Sequence, residues 1–134
     1  MTAIQPGRGL FSIRGSDFDD TIHELQALRW TVYFLSEEIT DRPAFFGAVK
    51  TTLPLDPPVI GDEKWDALSD SLWSGLFAED PQQIAIVWPN SAVMAERAPE
   101  DYQIARSILA DLVESLNSAE MTVGRPKDIM VVLA

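Results

Sequence analysis

Two aspartates four residues apart are the side chains in this sequence whose type and spacing could carry chemistry. Asp66 and Asp70 stand in a segment that is apolar at every third or fourth position, so in a helix their carboxylates lie side by side at the edge of the apolar face. Trp73 falls between that face and the acids, and Glu63 joins them if the helix begins one turn earlier. Like charges at this spacing destabilise a helix by about 0.2–0.5 kcal/mol. The pair is therefore either an ordinary solvated surface or a site directed at positive charge.

Three chemistries are open to Asp66 and Asp70. Carboxylates whose Cβ atoms lie ~5–6 Å apart are in the range used by glycosidases, but a convex helix in a small domain offers no predicted cleft that would raise one pKa. As metal ligands the two acids lack further ligands of predictable geometry. As binding groups they complement the cationic side chains that also bind phosphate. We therefore expect no metal and no cofactor at this pair.

Other candidate catalytic groups are scarce. Cysteine is absent, which excludes a thiol nucleophile, a disulfide scaffold and a cysteine–zinc site. His23 is the single histidine, and no cluster of metal ligands accompanies it. The Ser74-Gly75 pair lacks the flanking residues of a nucleophile elbow, and the Gly-Arg-Gly at residues 7–9 is too short for a phosphate-binding loop. The sequence therefore predicts no catalytic residue.

The charge balance indicates a basic partner. The chain carries 21 acidic and 10 basic side chains, a formal net charge of −11, and its sequence pI is near 4.3. Ten of the acids and three of the basic residues lie between positions 37 and 80, so this stretch has a net charge of −7. Such a chain would be repelled by phosphate backbones, so no direct nucleic-acid binding is expected. A basic protein would be attracted and steered towards it.

The apolar runs give an expectation for location. None approaches the roughly 18 residues that a transmembrane helix needs, and residues 1–15 lack the apolar stretch of a signal peptide. We expect a cytoplasmic protein with no membrane partner and no small-molecule substrate.

The elements that must position the acids alternate between strand and helix. Apolar, β-branched runs predict strands at 9–14, 31–35, 84–88 and 129–133. Helical spacing predicts helices at 16–28, 41–52, 65–76, 92–97 and 99–117, with a proline- and glycine-rich loop at 53–64. This order predicts an α/β fold, a small mostly parallel sheet of three to four strands with crossover helices. A chain of 134 residues that is 46% hydrophobic is expected to form one domain.

Particular side chains are expected to begin these helices and to face the core. Ser16 and Asp19 resemble a capping box, and Thr40 or Asp41 can cap the second helix. The apolar stripes predicted to be buried are Phe18, Ile22, Leu25 and Leu28 in the first helix, Trp65, Leu68, Leu72 and Leu76 in the third, and Ile104, Ile108, Leu109, Leu112 and Leu116 in the last.

The segment from Lys64 to Asp70, Lys-Trp-Asp-Ala-Leu-Ser-Asp, resembles the Asp-Ala-Leu-x-Asp signature of the barstar family. This family consists of intracellular inhibitors of secreted ribonucleases. The predicted element order over residues 31–134 is similar to the family's, and residues 1–30 look like an amino-terminal strand–helix extension of it. The resemblance implies a single barstar-like domain over residues 1–134.

The resemblance also implies a partner-binding surface. Inhibitors of this kind block a nuclease active site with a loop and an acidic helix, and an acid of the later long helix contributes. Carried onto this sequence, these positions are Val59, Ile60, Gly61, Glu63, Asp66, Asp70, Trp73 and Glu114. A shift of one residue would put Ser115 at the position of Glu114. The loop has Val59 and Ile60 before its glycine, where aromatic residues are usual in the family.

Three hypotheses for function follow. The leading one is a stoichiometric inhibitor of a basic secreted ribonuclease, which occludes an active site and catalyses nothing. The alternative is an acidic interaction module of the same fold that binds a basic non-nuclease partner. The third is a small hydrolase that uses Asp66 and Asp70.

Overall fold

A computed structural model describes residues 6–134 of the chain. Along the chain the elements are β1 (Gly9–Ser12), α1 (Ser16–Ala27), β2 (Thr31–Phe34), α2 (Arg42–Thr52), α3 (Trp65–Ala78), β3 (Gln83–Trp88), α4 (Ser91–Arg97), α5 (Pro99–Leu116) and β4 (Asp128–Leu133). No helix within this range is long and apolar enough to cross a bilayer.

The four strands form one sheet in the order β1-β4-β3-β2, and every neighbouring pair is parallel. β3 and β4 lie in the centre and pair in register from Gln83↔Asp128 to Trp88↔Leu133. After its first residue each of these two strands is buried along its whole length. Burial on both faces explains why both strands read as continuous apolar runs. The predicted α/β fold is confirmed, and the sheet is parallel throughout.

The two faces of the sheet are covered unequally. On one face α1 packs alone, and Leu25 joins Trp30, Val87 and Val132 in a small cluster. On the other face helices α2 to α5 share a larger core with β3 and β4, in which Trp88 is fully buried. The acidic helix α3 belongs to this second, more heavily packed side.

The apolar side of α3 is buried as its spacing predicted. Leu68, Leu72 and Leu76 have no exposed surface, and burying a leucine side chain contributes about 1.5–3 kcal/mol. Trp65, at the start of the helix, is only half-buried. Its ring packs against Phe45 and Phe46, with centroids 6.0 and 4.9 Å apart. The acids are therefore presented by a helix whose opposite side is anchored in the core.

The predicted helix starts are correct for α2 and wrong for α1. Asp41 caps α2, since its side chain accepts a hydrogen bond from the backbone N–H of Ala44 at 3.0 Å. At α1 the cap residue is Gly15, with φ at 63°, and no side chain caps the helix. The chain enters α1 through this left-handed glycine, so Ser16 is already helical and cannot form the capping box predicted with Asp19.

Two predicted apolar stripes differ from the observed burial. Leu28 follows the end of α1 and is 52% exposed, so it is not part of the buried face of that helix. In α5, Ile104 is 40% exposed, whereas Ala105 and Val113 are buried. The other four residues of the predicted stripe are buried as predicted, so the buried face of α5 is the predicted one, extended by Ala105 and Val113. The predicted amino-terminal extension, 1–30, contains β1 and α1, and its first five residues lie outside the described ones.

Candidate functional site

The carboxylates of Asp66 and Asp70 are exposed on the side of α3 that faces away from the core. Asp66 lies in the first turn of the helix, where the backbone N–H groups and the helix dipole favour a negative charge. Asp70 lies one turn further on, beyond most of that effect. Lys64 is the N-cap residue and its side chain makes no capping hydrogen bond. The two acids therefore follow the start of α3 without a capping side chain before them.

The loop before α3 is held against its neighbours at several points. The backbone N–H of Asp56 donates to the carbonyl oxygen of Ser71 at 3.1 Å. At Gly75 a Cβ would lie only 2.2 Å from the carbonyl oxygen of Pro54, so the backbones approach more closely than any other residue would permit. The ammonium group of Lys50 donates to the carbonyl oxygen of Gly61. These contacts fix the position of the loop relative to α2 and α3.

The tip of this loop is apolar and projects into solvent. Val59 is half-buried and packs against the larger core, whereas Ile60 is 95% exposed. Gly61 has φ at 83°, in the left-handed region, and a Cβ there would meet nothing within 4 Å. Glycine is favoured here because of the backbone conformation, and not because a larger side chain would clash with its neighbours. An isoleucine exposed to this degree next to an acidic helix is a feature that stability does not explain.

Two cavities open along α3. One, of about 410 Å³, is lined by Glu63, Lys64, Trp65, Asp66 and Ala67. The other, of about 370 Å³, is lined by Ser69, Asp70, Trp73, Ser74, Ser115 and Met121. The structure therefore brings Glu63 together with Asp66, and Asp70 together with Trp73. Each acid of the pair lines a different cavity.

The contribution of α5 to this surface comes from Ser115. Ser115 lines the cavity beside Asp70, while the side chain of Glu114 is 77% exposed and pairs with Arg8 at 3.5 Å. Glu114 is therefore not placed with the acids of α3. Adjacent residues of a helix point about 100° apart, so Glu114 and Ser115 of α5 face different surroundings. Met121, in the segment after α5, was not identified from the sequence because no motif or periodicity marks it.

An aromatic row continues along α3 from the acids. The rings of Trp73 and Phe77 stack with centroids 4.9 Å apart and planes 25° apart. The guanidinium carbon of Arg125 lies 4.8 Å from the centre of the Phe77 ring. The indole Nε1 of Trp73 is buried and has no hydrogen-bond partner among the described residues. Phe77 was also missed from the sequence, although its position four residues after Trp73 is the signal that would have found it.

The far end of α3 is fastened by polar contacts. The hydroxyl group of Tyr33 donates to a carboxylate oxygen of Glu79 at 2.8 Å. Burial, and then this hydrogen bond, raises the pKa of Tyr33 to about 12. The buried ammonium group of Lys127 donates to the carbonyl oxygens of Glu79 and Pro81, and burial lowers the pKa of Lys127. These bonds tie the end of the acidic helix to β2 and to the residue that precedes β4.

The geometry gives little support to a hydrolase. Asp66 and Asp70 are both exposed to solvent, whereas catalytic groups are typically held in a cleft that encloses the substrate. His23 is exposed on α1, which covers the opposite face of the sheet. Within residues 6–134 no group of three or more histidine, aspartate or glutamate side chains is arranged to hold a metal ion.

Comparison with known proteins places the chain in a family. A family model described as Barstar (barnase inhibitor) matches residues 30–132. The matched range contains α3 with both acids, the loop before it, and all but the last residue of β4, while β1 and α1 lie before it. No curated protein and no solved structure gives a significant match to the chain.

Proposed function

The chain belongs to the Barstar family, and from this membership we propose that it is a stoichiometric protein inhibitor of a basic, secreted ribonuclease. In this proposal the acidic face of α3 and the loop before it cover the active site of the nuclease. The family description, barnase inhibitor, supports inhibition of a ribonuclease in general. The particular mode of binding and the nature of the partner are part of our proposal.

The observation that carries the proposal is the exposed acid pair on an anchored helix. Asp66 and Asp70 face solvent, whereas Leu68 and Leu72 of the same helix are fully buried. A ribonuclease binds phosphate groups with cationic side chains, and such side chains also bind carboxylates through charge-assisted hydrogen bonds. Two carboxylates at fixed positions can therefore occupy the places of substrate phosphates.

The attachment of the loop supports the same role. An interface that is already ordered before binding loses less conformational entropy when the complex forms. The bond from Asp56 to Ser71 and the close contact of Gly75 with Pro54 hold the loop against α3 before any partner arrives. Ile60, which is exposed at the tip, is available to pack against the nuclease beside its active site.

The charge distribution supports a basic partner and fast association. The stretch from 37 to 80, with a net charge of −7, includes the loop and α3. A field of this sign attracts a basic protein over distances of about a Debye length, ~10 Å at 0.1 M salt. Our proposal includes a cytoplasmic location, where an inhibitor would protect cellular RNA from a ribonuclease made for export.

Two observations favour a second candidate, an acidic interaction module that binds a basic partner without nuclease activity. The loop has Val59 and Ile60 before Gly61, where the family usually has aromatic residues, and α5 offers Ser115 to the surface instead of Glu114. Both differences change the groups that would meet a nucleotide-binding site. A partner of another class would account for them.

The test begins with a pull-down of basic proteins from the source organism on the immobilised chain. We expect a ribonuclease whose activity falls linearly to zero as one equivalent of the chain is added. Asp66→Asn and Asp70→Asn should each weaken this inhibition, while Asp20→Asn, at an exposed acid of α1 on the opposite side of the sheet, should not. Capture of a basic protein without ribonuclease activity would favour the second candidate.

A further inference from the structure

The strand β2 lies at one edge of the sheet, and no other strand in the described part of the chain pairs with its outer side. The backbone N–H of Leu35 donates to the carbonyl oxygen of Val87 in β3 at 2.8 Å. Successive residues of a strand point their backbone polar groups alternately to its two sides. Tyr33 therefore faces β3 as well, whereas the N–H and C=O groups of Val32 and Phe34 point away from the sheet.

This edge strand lacks the charged side chains and the proline with which natural proteins often prevent pairing at a sheet edge. Its sequence, Thr-Val-Tyr-Phe, contains neither, and the side chain of Phe34 at its end is 47% exposed. Most of the negative charge of the chain also lies elsewhere, since residues 1–36 carry three basic and four acidic side chains. The edge is therefore able to accept a further strand.

The backbone of β2 is complementary to itself when two copies run antiparallel and are centred on Tyr33. In this register Val32 of one copy lies opposite Phe34 of the other, and these are the residues whose polar groups point outwards. Two residues opposite each other at such a position exchange both of their hydrogen bonds. The register therefore uses every outward-pointing group of the strand. It also places the side chains of Val32 and Phe34 beside each other on one face, where an apolar cross-strand pair is favourable.

The turns that flank β2 carry opposite charges at matching distances from its centre. Arg29 lies four residues before Tyr33, Glu37 lies four residues after it, and both side chains are exposed. In the antiparallel register each end of the paired strands brings Arg29 of one copy beside Glu37 of the other. Opposite charges across a strand pair are favourable, whereas like charges are unfavourable. This charge complementarity identifies a second copy of the chain as the strand that fits the edge.

We propose that β2 pairs with β2 of a second copy of the chain, antiparallel and centred on Tyr33, so that the four-stranded sheets of the two copies join into one. The arrangement has two-fold symmetry, in which the same surface serves both copies. One short strand from each copy makes a small interface, so the dimer is weak and its population depends on concentration. The inference goes beyond the proposed function, because it concerns the edge of the sheet and involves no ribonuclease.

Sedimentation velocity of the intact chain measures the dissociation constant of the dimer. We expect dimers to form as the concentration rises from about 10 µM to about 1 mM. Phe34→Pro removes an N–H group that points away from β3, which proline tolerates at a sheet edge. The substitution should raise the dissociation constant by about tenfold or more, because the dimer loses a backbone hydrogen bond and an apolar pair at each end.

Exchange of the flanking charges tests the register. Arg29→Glu places acid beside acid and should raise the dissociation constant by at least about threefold. Arg14→Glu is the matched control, because it changes the net charge equally at an exposed position next to β1, on the opposite edge of the sheet. It should change the constant by less than about twofold. The double variant Arg29→Glu/Glu37→Arg reverses both charges and should restore the original constant.

A chain that is still monomeric at about 1 mM would overturn the inference. So would a dimer that Phe34→Pro leaves intact, an equal effect of Arg14→Glu and Arg29→Glu, or a double variant that remains dissociated. Thermal melting followed by circular dichroism shows whether each variant is folded. If Phe34→Pro does not fold, the charge variants decide the question alone, since they lie outside β2.

Discussion

On one side of α3, Leu68, Leu72 and Leu76 are fully buried in the larger core. On the other side, Asp66 and Asp70 are exposed one turn apart. The first arrangement stabilises the fold by several kcal/mol, whereas the second opposes it by about 0.2–0.5 kcal/mol. Stability therefore explains the residue types on one side of the helix and not on the other. Substitutions on the two sides should therefore have opposite effects on the stability of the fold, and this difference can be tested.

The largest effect is expected on the buried side. Leu72→Ala removes a side chain with no exposed surface and leaves a cavity, which should lower the free energy of unfolding by about 2–5 kcal/mol. Chemical denaturation measures this loss. A loss below ~1 kcal/mol would mean that the core around Leu72 can collapse without cost, and that this side of α3 is not the anchor we describe.

On the exposed side, Asp70→Ala should separate binding from stability. It relieves repulsion with Asp66 and introduces a residue of high helix propensity, so the melting temperature should stay the same or rise slightly. Loss of the carboxylate would leave the cationic groups of the ribonuclease buried and unpaired, so binding should weaken by about 2 kcal/mol or more, mainly through faster dissociation. This magnitude is the general one for interface hot spots, among whose known examples is an inhibitor of this family.

Melting curves and dissociation rates measured on Asp70→Ala and on Asp20→Ala provide the check. Asp20 is exposed on α1, so its variant should leave the dissociation rate unchanged. If Asp70→Ala unfolds the protein but spares the affinity, Asp70 is a structural residue and the contrast between the two sides of α3 disappears.

The loop contact at Gly75 links the two sides, and Gly75→Ala should affect both. A Cβ at this position would lie 2.2 Å from the carbonyl oxygen of Pro54 and 2.5 Å from its carbonyl carbon, and backbone atoms cannot move aside as a flexible side chain can. We expect a loss of about 1–3 kcal/mol in stability. Displacement of the loop should also weaken ribonuclease binding.

Gly47→Ala is the matched control for this prediction. Gly47 is also helical, in α2, but a Cβ there would meet nothing within 4 Å. The substitution should stabilise the chain by up to about 1 kcal/mol, because alanine favours the helix. If the two variants behave alike in denaturation and binding, the loop is not held by the close approach at Gly75.

The features that could be predicted from the sequence are those set by local periodicity. The spacing of Leu68, Leu72 and Leu76 predicted the buried side of α3 correctly, and the continuous apolar runs predicted β3 and β4. In both cases the pattern of neighbouring residues determines which atoms leave water.

The features that could not be predicted depend on contacts between distant segments. The spacing around Gly75 does not reveal that Pro54 lies against it. Met121 enters the cavity only because the segment after α5 turns back towards α3. The sequence left the choice between Glu114 and Ser115 open, because it depends on how α5 lies against α3.

The smallest effect is expected at the end of α3. Substitution of Tyr33, like that of the buried leucines, should lower stability and leave the affinity for the ribonuclease unchanged. Its hydroxyl group donates to Glu79, and its pKa is raised to about 12 from the ordinary 10.0. Tyr33→Phe removes this bond and should cost about 0.5–1.5 kcal/mol at neutral pH. Because the unfolded chain releases the tyrosine proton near pH 10 and the folded chain only near pH 12, this contribution is complete below pH 10 and is lost as the pH rises towards 12.

Denaturation of the original protein and of Tyr33→Phe from pH 7 to 12 should show their stabilities converging in that window, with equal affinity for the ribonuclease at pH 7. A constant difference across the window would show that the bond to Glu79 is not what Tyr33 contributes.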